Sequence, residues 1–354
     1  MKATASCRFP FLDEWKQYCD KNPICAFTDS VLSGYAQLAF NDNTFSGILM
    51  IIATWIGSPI LCINALWGTV IATVTAYIIG IPNGSIRSGS YGFNAALACL
   101  AVPVLLFPSG KLSFVMLGIS AAIAISTVLF KMAVGKFFSK WNLPTLVIPY
   151  CIALIISLTI FEAAGITETS SVTIETLLFT TSFTDWSIID FCLAFFCNAA
   201  QVLWLIHPVS GILYLVALTF ASRQDLINTA TAIVVSLFVS IILGLPKDGI
   251  MTGLYGYNAI LLMQVLSRGF LKTSRSSILN ICMVALTPIM CCIYQCILTP
   301  LGIRSFLAIP YLTIALLVFA NRKKLNGFTY IPSDYWGVPE TITTDFSVDK
   351  NSEP

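Results

Sequence analysis

Ala36-Gln37-Leu38-Ala39-Phe40, followed by Ser46-Gly47-Ile48-Leu49, has a partner later in the chain. The partner is Ala200-Gln201-Val202-Leu203-Trp204, followed by Ser210-Gly211-Ile212-Leu213. The two stretches lie 164 residues apart, and the same separation links Ser58 to Ser222, Gly80 to Gly244 and Pro82 to Pro246. It also links Ile63-Asn64 to Ile227-Asn228, and Tyr91-Gly92-Phe93-Asn94-Ala95 to Tyr255-Gly256-Tyr257-Asn258-Ala259. A register held this long without a gap reads as one structural unit used twice.

The material between these anchors is apolar. Of 354 residues, 57% are hydrophobic and 10% charged, against about 25% charged in an ordinary soluble domain. Mean hydropathy is +0.85. Apolar runs near the ~20 residues that cross a bilayer fall at 46–63, 65–81, 91–107, 112–134 and 145–161, then at 209–221, 227–245, 254–266, 278–298 and 306–320. These predict an all-α polytopic membrane protein, since helices satisfy their backbone hydrogen bonds within the segment. Ala26 to Phe40, ended by Asn41-Asp42-Asn43-Thr44, is too short to cross, and Ile188 to Ile206, ended at His207-Pro208, repeats it. Each half therefore reads as about five transmembrane helices plus one short re-entrant pore helix. Short paired segments at matching places in two repeats point to a transport path.

Five crossings per half is an odd number, so the two repeats insert with opposite orientation. The predicted division is a polar arm over 1–25, repeat 1 over 26–162, an inter-repeat loop over 163–187, repeat 2 over 188–320 and a flexible cytoplasmic tail over 321–354. With both termini in the cytoplasm, Arg87, Lys136, Lys140, Arg223, Arg268, Lys272, Arg275 and Arg322-Lys323-Lys324 fall inside, while the inter-repeat loop carries acids and no Lys or Arg. That follows the positive-inside bias, with Lys111, Lys247 and Arg304 as exceptions. The N-terminal residues have no long apolar core and do not form a cleavable signal peptide; the first apolar segment directs insertion, and the expected location is the plasma (inner) membrane.

Chemistry-bearing clusters are scarce. No nucleophile–base pair, metal cluster or phosphate loop is visible, and with one histidine, His207, a His/Cys zinc site is not expected. Most of the twelve cysteines lie in apolar runs and read as small hydrophobes. A net charge of +2 gives no case for nucleic-acid binding. No cofactor and no enzymatic activity are expected. Glu162, Asp190, Asp225 and Asp248 sit near segment ends, where caps and loops account for them. Scarce midplane acids argue against proton or sodium coupling and for passive movement of a neutral solute.

Gln37 and Gln201 stand out. An amide in hydrocarbon is costly unless hydrogen-bonded, so both face protein or water, as helix–helix glue or as pore lining. Their duplication in the short segments favours the pore. A Gln carbonyl can accept from a solute N–H, and three residues on, Phe40 or Trp204 is expected on nearly the same helical face. A flat polar solute could then rest on the ring. The Tyr-Gly-x-Asn-Ala motif is expected to open a helix in each half, its glycine allowing close helix approach. Phe93 with Leu97, and Tyr257 with Leu261, are spaced to form an apolar wall or to pack a core.

Together the two repeats, Gln-x-x-aromatic, Ser88-Gly89-Ser90-Tyr91-Gly92-Phe93-Asn94-Ala95-Ala96-Leu97 and Gly253-Leu254-Tyr255-Gly256-Tyr257-Asn258-Ala259 resemble the urea transporters, including their bacterial members, over residues 26–320. The resemblance implies a channel-like facilitator of urea, a homotrimer with one narrow pore per subunit at the repeat interface. It implies an outer site at Gln37 and Phe40 and an inner one at Gln201 and Trp204. Leu38, Val202, Phe93, Leu97, Tyr257 and Leu261 would line the slot between them.

The chain departs from that family at mid-pore. The signature Leu-Pro-x-x-Thr-x-Pro-Phe stands as Leu143-Pro144-Thr145-Leu146-Val147-Ile148-Pro149-Tyr150 and as Arg304-Ser305-Phe306-Leu307-Ala308-Ile309-Pro310-Tyr311. Val147 and Ala308 replace two threonines, and each missing hydrogen bond is worth on the order of 1 kcal/mol. Passive permeation of urea or a related small amide is the expected function. A small-amide or ammonia channel, an ion-coupled transporter built on inverted repeats, and a membrane enzyme or sensor are the alternatives.

Overall fold

The structure, a computed structural model, describes residues 10–107, 111–165, 186–298, 307–333, 336 and 339. Among these every regular element is helical, apart from one isolated antiparallel bridge between Phe270 and Tyr330. The chain forms two compact units: residues up to Ser139 with those from Thr145 through the end of the first half, and Lys140–Pro144 with the second half.

Unit 1 holds α1 (Pro10–Lys21), α2 (Pro23–Ala36), α3 (Thr44–Gly57), α4 (Pro59–Ile79), α5 (Asn83–Arg87), α6 (Gly92–Leu105), α7 (Phe114–Phe138) and α8 (Ile148–Ala163). Its centre is α6, buried along nearly its whole length and packed against α4, α7, α8 and α2. Unit 2 holds α9 (Ile188–Gln201), α10 (Pro208–Ala221), α11 (Arg223–Ile242), α12 (Lys247–Met251), α13 (Tyr257–Gly269), α14 (Ser274–Ala285), α15 (Thr287–Leu298) and α16 (Ile309–Ala320). Here α13 is the buried helix, enclosed by α11, α14 and α16.

The 164-residue register recurs in the local structure of each unit. Ser58 and Ser222 are extended N-caps whose hydroxyls accept from the first turns of α4 and α11. Asn43 and His207 cap α3 and α10 in the same way, so the histidine is a helix cap with Nδ1 accepting from the Ser210 amide. Gly80 and Gly244 both take left-handed φ angles at helix C-termini, where a side chain would be strained. Farther on the register shifts: Leu146 pairs with Leu307, 161 residues later, both at φ 47°.

Each of the ten apolar runs contains helix, and α2 and α9 are short as expected. Several helices are as short as their runs, α10 (Pro208–Ala221) against 209–221 and α13 (Tyr257–Gly269) against 254–266. Only four stretches among the described residues are long and apolar enough to cross a bilayer alone: Pro59–Ile79, Phe114–Trp141, Arg223–Ile242 and Ser274–Leu298. The others run shorter than the ~20 residues a crossing needs. Turns interrupt them: α5 gives way to α6 through Ser88–Tyr91, and α12 to α13 through Thr252–Gly256. Such irregular backbone at membrane depth is sustained by bonds to protein, and the turns here make them, as Gly92 and Phe93 N–H to Gly89 O illustrate.

Large apolar side chains point outward on the long helices. Phe114, Ile78 and Ile278 are 93%, 79% and 62% exposed, which suits a hydrocarbon solvent and not water. Inside, small residues permit close crossings. A Cβ on Gly47 would lie 2.2 Å from Leu32 O, and one on Gly211 would lie 1.8 Å from Phe196 O. These two crossings, α3 on α2 and α10 on α9, are again 164 residues apart.

The segments read as arms are partly structured. Helix α1 lies on α2, with Trp15 Nε1 donating to Asp29 at 2.9 Å. Residues 321–333, taken from the sequence as the start of a flexible tail, pack on unit 2: Ile331 is buried, Arg322 donates to Trp141 O, and Tyr330 donates to Asn142 O. The remaining tail, most of the inter-repeat loop and Arg304-Ser305-Phe306 lie outside the described residues.

Candidate functional site

Each unit gathers its own six of the residues singled out by sequence, around a break in the chain. Helix α2 ends at Ala36, Gln37–Ala39 tighten into a 3₁₀ turn, and Phe40 flips to φ 54°, ψ 31°. Its amide donates to Gln37 O at 3.0 Å. In unit 2, α9 ends at Gln201, Trp204 takes φ 59°, and its amide donates to Gln201 O, also at 3.0 Å. The expectation that Gln and aromatic share a continuous helical face is therefore corrected. Both glutamines close their helices, and the aromatic lies beyond a left-handed hinge.

That hinge is unfavourable for a bulky residue, because its Cβ crowds the backbone. Such positions cost about 1–3 kcal/mol each and persist where surrounding structure enforces them. Five described non-glycine residues have positive φ: Phe40, Asn142, Leu146, Trp204 and Leu307. Four of the five form two repeat-related pairs. Phe40 and Trp204 are candidate site residues, and Leu146 and Leu307 directly precede the candidates Val147 and Ala308.

The hinges are held by glycines that tolerate contact. Gly89 (φ +72°) brings its turn against α2, where a Cβ would meet Gly34 N and the Ser33 carbonyl carbon at 2.3 Å. Its counterpart Gly253 (φ +81°) presses on Asn198 and on Gln201 Cβ. Behind them, Gly92 meets Thr69 and Gly256 meets Asn198 so closely that neither admits a Cβ without a shift, as the motif predicted.

Polar bonding then connects the hinge to the rest of each set. Gln37 Nε2 donates to Ser88 O at 2.9 Å, which fixes the donor end of the amide and leaves Oε1 to accept. Gln201 Oε1 is buried without a hydrogen-bond partner. Gln37, Phe40, Gln201 and Trp204 are half-buried, whereas Leu38 and Val202 between them are buried. Asn94 Oδ1 accepts from Tyr150 N at 3.1 Å, tying the first turn of α8 to α6. Asn258 Oδ1 accepts from Tyr311 N at 3.3 Å, tying α16 to α13. Through these bonds Val147 comes beside the helix carrying Phe93 and Leu97, and Ala308 beside the helix carrying Tyr257 and Leu261. All six are buried. Tyr257 is more than an apolar wall, since its hydroxyl donates to Leu307 O.

The structure brings three charged groups inward: Lys131 and Asp29, which are not among the residues singled out by sequence, and Asp225, which is. Lys131 donates to Ser90 O and places its ammonium 4.7 Å from the Tyr91 ring centroid and 5.2 Å from that of Phe93. It is the one charge within the apolar run 112–134, and intramembrane charges of that kind usually mark function; that signal was available. Asp29 is buried in the short α2, where it accepts from Trp15 and Thr44 and pairs with Arg87 at 3.3 Å. Asp225, expected as a plain cap, is also a fully buried ion pair with Arg268 at 2.7 Å, with Gln264 bonding both partners. Among the described residues no group of three or more His, Cys, Asp or Glu side chains could hold a metal.

Helical units with large apolar side chains turned outward define an all-helical protein of the membrane class. The sequence family of urea transporters matches residues 28–323, and the chain belongs to that family. It is thus an integral membrane protein. Among similar proteins is urea transporter 1 of Ovis aries, of Capra hircus and of Rattus norvegicus, each 25% identical over 249 residues. Those matches cover 68% of this chain and 63% of each relative, so the chain spans less than two thirds of the curated relatives' length.

Proposed function

We propose that the protein conducts urea passively across the membrane, through a narrow pore to which each repeat contributes one Gln–aromatic hinge. The observation that carries this reading is the paired strain: Phe40 with Trp204 and Leu146 with Leu307 are left-handed at the proposed ends and middle of the path. Membership of the urea transporter family supports the choice of solute.

In this reading urea exchanges water for the oxygens of Gln37 and Gln201, while the Phe40 and Trp204 rings fit its flat faces. The unpartnered Gln201 Oε1 is an acceptor awaiting a donor, which a solute N–H supplies. Phe93, Leu97, Val147, Tyr257, Leu261 and Ala308 form the wall. Ions fail in this reading because the apolar wall offers no charge to offset their dehydration. The repeated element order and the odd number of expected crossings support opposite insertion of the two repeats, with both termini cytoplasmic in a plasma (inner) membrane. A homotrimer embedded in lipid is part of the same proposal.

Stopped-flow light scattering on proteoliposomes tests it. Vesicles shrunk by urea should recover faster than protein-free vesicles, with a protein-dependent gain larger for urea than for formamide, acetamide or ammonia and no dependence on proton or sodium gradients. A gradient-dependent uptake would replace the channel with a coupled transporter.

A further inference from the structure

Lys131 on α7 is bonded to the turn that holds the first hinge. Its ammonium donates to Ser90 O, in the turn Ser88–Tyr91 between α5 and α6, beside the rings of Tyr91 and Phe93. The same turn offers Ser88 O to Gln37 Nε2 at 2.9 Å. Two side chains from different helices therefore grip one short turn, Gln37 at its first carbonyl and Lys131 at its third. The rest of the turn is bonded locally. Ser88 Oγ and Ser90 Oγ both donate to Ser85 O, and Gly89 lies against Ser33 and Gly34 of α2.

Unit 2 holds the matching turn in another way. There Ser236 Oγ of α11 donates to Tyr255 O at 3.1 Å, and Gln201 Oε1 has no partner. A neutral hydroxyl serves the second turn, so the charge at Lys131 calls for a reason of its own. A lysine within an apolar span is costly. What it gains is a charge-assisted bond, stronger than a hydroxyl makes.

We propose that Lys131 is a positioning residue for the first hinge. Its grip on Ser90 O fixes the turn, the turn fixes Gln37 Nε2 through Ser88 O, and Gln37 Oε1 is thereby held ready for the solute. The ammonium does not touch the solute; it acts through Gln37. This inference rests on the pore reading, in which Gln37 is a binding group.

Urea flux in proteoliposomes is the first test, with Lys131→Met alone and combined with Gln37→Ala or Gln201→Ala. Alone it should lose urea flux to about the extent of Gln37→Ala, roughly fivefold at that step. In the Gln37→Ala background it should cost nothing further, and in the Gln201→Ala background it should cost more, because a residue acting through another does not add to its loss. A merely structural lysine would lower flux in both. Hydrogen–deuterium exchange of the full chain in detergent gives a readout independent of transport. The amides of Ser88, Gly89, Gly92 and Phe93 are bonded locally, and Lys131→Met should speed their exchange while residues 249–257 stay unchanged.

Unchanged exchange over 88–93 overturns the proposal, as does undiminished flux in Lys131→Met or an equal loss in the two backgrounds. Undiminished flux in Gln37→Ala would sink the pore reading instead, and the exchange comparison would still decide whether Lys131 holds the turn. Should Lys131→Met fail to fold, Lys131→Gln takes its place with the same expectations, since its amide ends one bond short of the lysine's reach.

Discussion

At the scale of single residues, the departures from the family pattern lie at Val147 and Ala308. Each follows a left-handed leucine and is buried beside an asparagine-anchored helix. Their side chains offer no hydrogen bond, so in the proposed path a urea at the midpoint loses water there without replacement. Restoring hydroxyls as Val147→Thr with Ala308→Thr is expected to raise urea flux severalfold, since a recovered hydrogen bond is worth about 1 kcal/mol. The check is stopped-flow flux at matched protein density; a fall in flux would mean the apolar midpoint serves another solute. These two positions were legible in the sequence because they interrupt a recognisable motif. The left-handed backbone of Phe40 and Trp204 was not. It accompanies the close packing of Gly89 on Ser33 and Gly34 and of Gly253 on Asn198 and Gln201, long-range contacts that local pattern does not encode.

At the scale of helices, the crossings at Gly47 and Gly211 set how α3 rides on α2 and α10 on α9. A Cβ at either glycine would collide with a carbonyl oxygen, and backbone cannot yield as a flexible side chain can. Gly211→Val is expected to destabilise the protein by at least the ~1–3 kcal/mol typical of overpacking, with a lowered unfolding temperature in detergent. Gly118→Ala is the control, because nothing lies within 4 Å of its Cβ position; an equal loss in both would refute the close-crossing account. Each apolar run contains helix, since hydropathy is a local property. The small helices α5 and α12 and the break between α14 and α15 were not legible, because they rest on turns and tertiary bonding and not on the apolar pattern. Lys131 and Asp29 were missed for a related reason. Lys131 is marked by being the one charge in its run, but what it bonds, Ser90 O, and what Asp29 pairs with, Arg87, become visible only in the fold.

At the scale of the whole molecule, duplication explains both the likeness of the units and their differences. The hinges, caps and glycine crossings recur at a fixed separation, while the surroundings of Asn64 and Asn228 have diverged, one amide bonded at both ends and the other with a buried Nδ2 that has no partner. In the proposed path a solute meets each hinge once, which makes each a resistance in series. The most direct test is urea flux through Gln37→Ala and Gln201→Ala separately, in proteoliposomes, with unfolding temperatures close to that of the unaltered protein. Losing an acceptor worth about 1 kcal/mol slows a step roughly fivefold, so each single variant should lose most of its urea flux. Undiminished flux in either variant, with the protein folded, would contradict the account.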